Sequence, residues 1–426
     1  MKIEISKEDS EYMYNFIGKI IDEVGPRIPG SEAEAKAAEI VKKELEKVCD
    51  EVTIETFKFH PDAFLGWLKI VVILIVLSLI SFFTILFFQN SPYFYWISII
   101  LSSISAGLNI ISFLIIWNEF FNYREYIDRF FKEKESQNVI GRIKTKGEPK
   151  KILIFSGHHD SARQFNLLWY FKWGYFLILF TALIVLFAWI IISLINLGLT
   201  IFGIATFFHA SVRWMTVVAI PVLIACYFFV WPGEKANKVP GAVDNLSAVA
   251  TVLGLGRYLK KHPEVIPEGI EIRLISFGSE EAGLRGAYRY AERHLEELKK
   301  YNAEVVNMDG LMSTKTIFVI ENEPTTRTKH SKEVVQKIID AGEMAEIPIR
   351  RFGSGTIEKI AGQLSGGTDA AAFSKAKIKA ANIMSMEIKK FVKFYHQPTD
   401  TLDMIEKGSL ELVLSILINY IKNSNK

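Results

Sequence analysis

Two kinds of pattern alternate along this chain. Residues 6–24 and 32–48 carry apolar side chains at helical spacing, separated by the turn-rich Gly25-Pro-Arg-Ile-Pro-Gly30, and Val52 to Phe59 alternates as a strand does. From about Leu68 to Phe88 and from Tyr93 to Trp117 this gives way to runs almost free of charge, each long enough to cross a hydrocarbon layer of ~30 Å. Gln89 to Pro92 between them leaves room only for a hairpin, and Asn109 reads as an interhelical hydrogen-bond partner. Charge returns from Glu119 to Lys134, and residues 138–145 and 152–155 read as a pair of strands. A second apolar block follows, from about Phe171 to Asn196 and from Trp214 to Trp231; Leu197 to Arg213 between them is apolar but rich in Gly and Phe, as an interfacial or re-entrant segment would be.

After Pro232-Gly233 strands and helices alternate: helix 243–261, strand 271–277, helix 284–299, strands 304–308 and 316–320, helix 330–344, strands 347–352 and 380–386, and a last helix 404–423. Such alternation implies an α/β fold, a mixed sheet covered by helices on both faces in three layers. The expected organisation is one soluble domain in three pieces, 1–62, 122–165 and 233–426, interrupted by transmembrane hairpins at 63–121 and 166–232. Pieces that share one core must lie on one side of the membrane, so each block crosses an even number of times. That gives four crossings.

Composition agrees with membrane segments: half of the 426 residues are hydrophobic, and the mean hydropathy is +0.21. The formal net charge of +3 implies no nucleic-acid partner. Cys49 and Cys226 are too far apart in sequence and context to suggest a disulfide framework or a zinc finger. The charged region after Met1 does not read as a secretory signal.

The chemistry gathers at element ends. The apolar strand ending at Phe277 delivers Gly278-Ser-Glu-Glu-Ala-Gly-Leu-Arg-Gly286, so Glu280 and Glu281 sit where ligands collect in an open α/β sheet. A Glu pair alone is more often a solvated first turn of a helix. Its company changes that: Ser156-Gly-His-His-Asp-Ser161 after one strand, Gly241-Ala-Val-Asp-Asn245 before a helix, Asn307-Met-Asp-Gly310 after another strand, and Phe394-Tyr-His-Gln-Pro-Thr-Asp400 before the last helix. His158, Asp244, Glu281, Asp309 and His396 make a set of imidazole and carboxylate donors suited to a pair of divalent metals, zinc before cobalt or manganese. Residue-to-residue alternation of direction would turn Glu281 to the metal and Glu280 to a water, as general base. His159 reads as a packing or surface residue. His60, His209, His262, His294 and His330 read as structural or solvent-facing.

As an ordered set, these motifs resemble the aminopeptidase Y and glutamate carboxypeptidase family of co-catalytic zinc metallopeptidases, over roughly residues 1–60, 122–165 and 233–426. The resemblance implies a zinc-peptidase core with two Zn2+, Asp244 bridging, and His158 and Asp309 on different metals or shared with Glu281 and His396 in pairs. It implies Glu280 as base, Asp160 orienting His158, and Tyr395 assisting the oxyanion. Asp369 in Gly366-Gly-Thr-Asp369 would orient a ligand or line the pocket, and Asp400 would fix the loop around His396. The implied activity is peptide hydrolysis, as an aminopeptidase. The alternatives are an endo- or carboxypeptidase, a glutaminyl cyclase-like enzyme, or a non-catalytic scaffold on the peptidase fold.

The apolar blocks add a constraint. Trp231 and Asp244 are 13 residues apart, a tether of at most ~45 Å, so the cavity is expected near the membrane face and its substrates among hydrophobic or membrane-derived peptides. Basic residues flank the crossings on the enzyme side from Lys47 to Lys238, against Arg213 alone on the far side, which places the enzyme in the cytoplasm.

Overall fold

The computed structural model describes Ile3, residues 5–204, Thr216, residues 219–352 and residues 366–424. The chain falls into two compact units, one of residues 1–61, 132–164 and 232–426 and the other of residues 62–131 and 165–231.

The first unit is built on an eight-stranded sheet. Its strands are β1 (Glu51–Phe59), β2 (Lys134–Ile143), β3 (Lys151–His158), β4 (Ile270–Phe277), β5 (Glu304–Leu311), β6 (Ile317–Ile320), β9 (Ile349–Phe352) and β10 (Lys379–Ser385). Their order is β1-β2-β4-β3-β5-β10-β6-β9. A separate two-stranded ribbon pairs β7 (Asn322–Glu323) with β8 (Thr328–Lys329). β2 and β3 are not partners, contrary to the sequence expectation. β4, buried along its whole length, lies between them, antiparallel to β2 and parallel to β3. Sequence neighbours favour a hairpin, but the more polar β2 is better placed toward the edge beside β1, while β3, β4, β5 and β10 run parallel in the middle.

These central strands bury both faces, and their alternation sorts residues into two cores. Leu153, Phe155, Leu274 and Val306 meet Met13, Ile17, Val249, Leu253 and Leu417 from α1 (Lys7–Glu23), α8 (Ser247–Lys261) and the C-terminal helix Ser409–Lys422. Ile152, Ile154, Ile275 and Phe277 meet Ala287, Tyr290, Leu298 and Phe373 from α9 (Arg285–Arg293), α10 (Leu295–Lys300) and the helix Ala370–Lys375. The fold is thus the expected three-layer α/β/α mixed sheet. The single helix expected over 284–299 is two, broken at His294, whose ring lies between Glu55 (2.7 Å) and Glu297 (3.2 Å).

In the second unit α3 (Ala63–Thr84), α4 (Phe94–Glu119) and α6 (Gly174–Ile201) form the bundle, with the short α5 (Asn166–Phe171) and a helix over residues 219–227 (α7). Among the described residues three helices are long and apolar enough to cross a membrane: Ala63–Phe88, Phe94–Glu119 and Gly174–Ile201. A fourth crossing from Trp214 and the connection through His209 and Arg213 lie largely outside the described residues. α6 continues to Ile201, past the boundary expected at Asn196. A buried polar seam ties the helices together: Asn109 Nδ2 donates to Ser78 Oγ (2.7 Å), Trp189 Nε1 to the same oxygen (3.1 Å), and Asn196 Nδ2 to Ser102 Oγ (2.8 Å). Residues 122–131, charged as they are, belong to this unit. Glu119 holds them, accepting from the N–H groups of Tyr126 (2.7 Å) and Ile127 (2.8 Å).

One close approach shapes the loop after β4. Gly286 N–H donates to Gly278 O (3.1 Å), and Asn138 bridges the same two residues, accepting from Gly278 N–H (3.2 Å) and donating to Gly286 O (2.9 Å). A Cβ at Gly286 would collide with that Gly278 oxygen and with Asn138 Oδ1. Because backbone cannot yield as a side chain does, Gly286→Ala should cost ~1–3 kcal/mol, measured as a lowered thermal unfolding midpoint.

Candidate metal centre

Three parallel strands deliver chemistry to one edge. In the sheet register His158 lies level with Phe277, and Ser156 with Asn307. Asp309, two residues past Asn307, therefore comes level with His158, while Glu280 and Glu281 follow Phe277 directly. Beneath them Ser156 Oγ donates to Asn307 Oδ1 (2.7 Å), and Asn307 Nδ2 to Asn382 Oδ1 (2.9 Å), a buried polar line across β3, β5 and β10 that favours this register alone.

Glu280 and Glu281 do not lie on an extended segment. Ser279 adopts a left-handed conformation (φ 55°), and Glu280–Ala282 form a 3-10 turn. The strand alternation expected to separate the two carboxylates has ended before they begin. Both can be brought within reach of His158: one donor atom from each of the three lies within 4.8 Å of the others. Asp160 fastens the turn, its carboxylate accepting from Glu280 N–H (3.1 Å) and Glu281 N–H (3.0 Å), while its Oδ1 stands 3.3 Å from His158 Nδ1.

Asp244 arrives differently. Ala242–Leu246 form an irregular turn ahead of α8, so Asp244 is not in the first turn of a regular helix as the sequence suggested. The Asp244–Asn245 peptide bond is cis. Asp400 accepts from Val243 N–H (2.7 Å) and Asp244 N–H (3.1 Å), so its carboxylate fixes the Asp244 turn, while its backbone N–H donates to Gln397 O (3.0 Å) within the loop that carries His396. Asn245 links the turn to β5, donating to Met308 O (3.0 Å) and accepting from Gly310 N–H (3.2 Å), on either side of Asp309.

The five candidate ligands fall into two triads that share one carboxylate. His158, Asp244 and Asp309 bring donor atoms within 4.8 Å of one another, and so do Asp244, Glu281 and His396. His158 thus stands with Asp309 in one triad and Glu281 with His396 in the other, although His158 also comes within 4.8 Å of Glu280 and Glu281. Tyr395 precedes His396, its ring centroid 4.0 Å from the imidazole and 4.3 Å from Phe391.

The electrostatics are those of crowded acids. Burial, then repulsion from neighbouring carboxylates, raises Glu280, Glu281 and Asp309 well above the usual carboxylate range. Burial opposes charge on His158, yet Glu280, Asp160 and Asp244 outweigh it and the imidazole is raised. His396 is pushed down to about 4 by burial, with His158 adding to the effect, and so is neutral near pH 7, as a metal ligand must be. Neither nitrogen of His158 and neither oxygen of Asp369 completes a hydrogen bond among the described residues, although all are buried. Burial raises Asp369 to about 7. A nest of enclosed acids and imidazoles lacking complementary donors fits divalent cations, and the mixed nitrogen and oxygen set fits zinc.

Two residues essential to this arrangement carry no sequence motif. Arg27 is fully buried. Its guanidinium donates to His159 O (2.7 Å), Gly25 O (2.7 Å) and Pro240 O (2.8 Å), joining the N-terminal turn to the loops of His158 and Asp244. Glu34 accepts from Gly30 N–H (2.6 Å), Ser136 Oγ (2.9 Å) and Ser279 N–H (2.8 Å), tying α2 (Glu32–Leu45) to the Glu280 turn. An arginine between two prolines is the only signal for the first, and Ser31-x-x-Glu34 has only the spacing of a helix capping box.

Residues 224–421 match the model of Peptidase family M28. These residues are similar to that family. Over 194 residues the chain is 30% identical to aminopeptidase YwaD of Bacillus subtilis, a stretch covering 44% of this chain and 39% of that protein. The chain thus spans about two-fifths of the length of that curated relative. Solved structures share the fold across nearly the whole chain. A zinc aminopeptidase from Bacillus subtilis matches with a TM-score of 0.54 at 15% identity, covering 99% of this chain and 96% of its own. An aminopeptidase from Aneurinibacillus sp. gives 0.53 at 16%, covering 97% and 93%. A glutaminyl cyclase from Bacteroides thetaiotaomicron gives 0.53 at 14%, covering 99% of each.

Beside the eight-stranded sheet His159 is a core residue, fully buried with Nδ1 2.9 Å from Ser276 Oγ, and burial lowers it to about 4. His294 and His330 are held by carboxylates; His209 lies outside the described residues. A histidine depressed from its ordinary ~6.5 gives stability that is full above pH 6.5 and lost as pH falls through about 4, because the unfolded chain takes the proton first. Metal-free His159→Gln should therefore lose stability less steeply than wild type between pH 6.5 and 4, read from denaturation midpoints. Asp160→Asn should weaken zinc binding by ~10–100-fold in a chelator competition, because a carboxylate facing His158 Nδ1 is lost.

Proposed function

We propose that this chain is a membrane-integrated zinc-dependent peptidase of the aminopeptidase type, with two metal positions. The observation that carries the reading is the pair of triads sharing Asp244. His158 and Asp309 would hold one ion, Glu281 and His396 the other, with Asp244 between; cobalt or manganese would also suit these donors. When bound, the ions supply Lewis acidity toward the scissile carbonyl and a water activated near neutral pH.

Glu280 then acts as the general base, taking a proton from the attacking water and giving it to the leaving amine. Its backbone is fixed by Asp160, and its Oε2 lies 3.7 Å from His158 Nε2, at the edge of the cluster. Tyr395, beside His396, would assist the developing oxyanion. Asp160 and Asp400 are positioning residues, one behind His158 and the other behind Asp244.

The substrates proposed are peptides near the bilayer, hydrophobic or membrane-derived. This rests on the short covalent connections that lead from His158 and Asp244 into apolar segments. Four crossings and a cytoplasmic catalytic unit complete the reading, supported by the parity of the insertions and the basic flanks.

The test is zinc stoichiometry together with hydrolysis of amino-acid anilides and N-blocked peptides by detergent-purified protein. Two zinc ions per chain and activity on free N-termini are expected. Glu280→Gln should keep both metals and lose ~10²–10⁴-fold in turnover. One zinc, with cyclisation of N-terminal glutamine, would favour the glutaminyl cyclase reading. Turnover only of blocked peptides would favour an endo- or carboxypeptidase, and neither metal nor turnover a scaffold.

A further inference from the structure

The helical unit carries a groove of about 310 Å³ between α3 and α7, lined wholly by apolar atoms. Val72 and Leu223 are its buried floor, while Ile73, Val76, Ile220 and Ile224 form walls 39–54% exposed. One end is charged: Lys69, one turn before Val72 and Ile73 on the same face of α3, places Nζ 5.9 Å from the centre of the Tyr227 ring. The groove is thus amphiphilic lengthwise, with an ammonium and a phenol ring at one end and aliphatic carbon along the rest.

The rest of the unit repeats this polarity. Lys172 lies over Trp169 (4.5 Å) and Arg129 over Phe130 (4.9 Å). Both belong with the Lys69 end, because α6 runs antiparallel to α4: Asn196 and Thr200, late in α6, meet Ser102, early in α4. The opposite end, at residues 85–96 and 197–204, exposes Phe87, Tyr93, Trp96 and Phe202, and among these described residues none is charged. Cations seated on aromatic faces at the Lys69 end, above an apolar furrow, complement an acidic headgroup with an acyl chain below it.

We propose that this groove binds one anionic phospholipid of the surrounding bilayer, its acyl chain between α3 and α7 and its phosphate at Lys69. The site rests on the proposed membrane integration of the helical unit and is independent of the metal centre and of peptidase activity.

The experiment uses full-length protein in nanodiscs of phosphatidylcholine with or without phosphatidylglycerol carrying a diazirine in its acyl chain, with labelled residues mapped by mass spectrometry. Labelling should be saturable, centred on Ile73, Val76, Ile220 and Ile224, competed by unlabelled phosphatidylglycerol and not by phosphatidylcholine. Lys69→Glu should reduce it at least about tenfold, and Lys69→Arg should restore it, since a cation at an acidic headgroup, not the lysine itself, is what binds. Ile224→Trp, which fills the groove, should abolish it. The proposal is overturned if labelling spreads evenly over the exposed faces of α3, α4 and α6, if phosphatidylcholine competes equally, if free fatty acid displaces the label as well as phosphatidylglycerol does, or if Lys69→Glu folds with labelling unchanged.

Discussion

Asp160, Asp244, Glu280, Glu281, Asp309 and Asp369 crowd one edge of one sheet, and enclosed like charges repel unless protons or cations stand among them. Nearly every polar contact around the centre answers that repulsion or fixes where it acts. Backbone N–H groups face Asp160 and Asp400, and Arg27 lies behind the loops that carry His158 and Asp244. Those partners serve the outer carboxylates. Among the described residues the inner ones face each other and two imidazoles. A protein that retains such a nest loses stability without its counter-ions and gains it on binding them, so metal affinity and folding are coupled.

The parts of this design legible in the sequence are the ones that rest on local geometry. A strand reveals itself by its apolar run, and a parallel strand presents its chemistry at its carboxyl end, so His158, the Glu pair and Asp309 stand out from the order of residues alone. Sheet order is not legible in the same way: β2 and β3 look like a hairpin, and only the burial of β4 along its full length explains its place between them. Backbone torsions at single residues are equally hidden. Ser279 turns the chain into a left-handed conformation, and with it the expected division of Glu280 from Glu281 by strand alternation disappears.

Long-range polar contacts are the least visible. Glu34 lies 245 residues from Ser279, and Arg27 is 213 from Pro240. Neither belongs to a periodic pattern, and a charged residue in a turn is ordinarily solvated. What makes them structural is burial, a property of the assembled fold. Asp400 shows the intermediate case: its place in the His396 loop is legible, while its hold on the Asp244 turn requires the two loops to meet.

In the proposed membrane reading the helical unit applies the same logic in a different solvent. Lipid offers no hydrogen bonds, so Ser78, Ser102, Ser105, Asn109, Trp189 and Asn196 turn to one another along a seam buried where three helices meet. Such bonds are individually worth only ~0.6–2 kcal/mol, but each fixes rotation as well as proximity, which apolar contacts between helices and lipid do not. The seam therefore decides which faces turn outward. Once Ser78 faces Asn109, the rotation of α3 is set, and the face bearing Lys69, Ile73 and Val76 is left to meet α7.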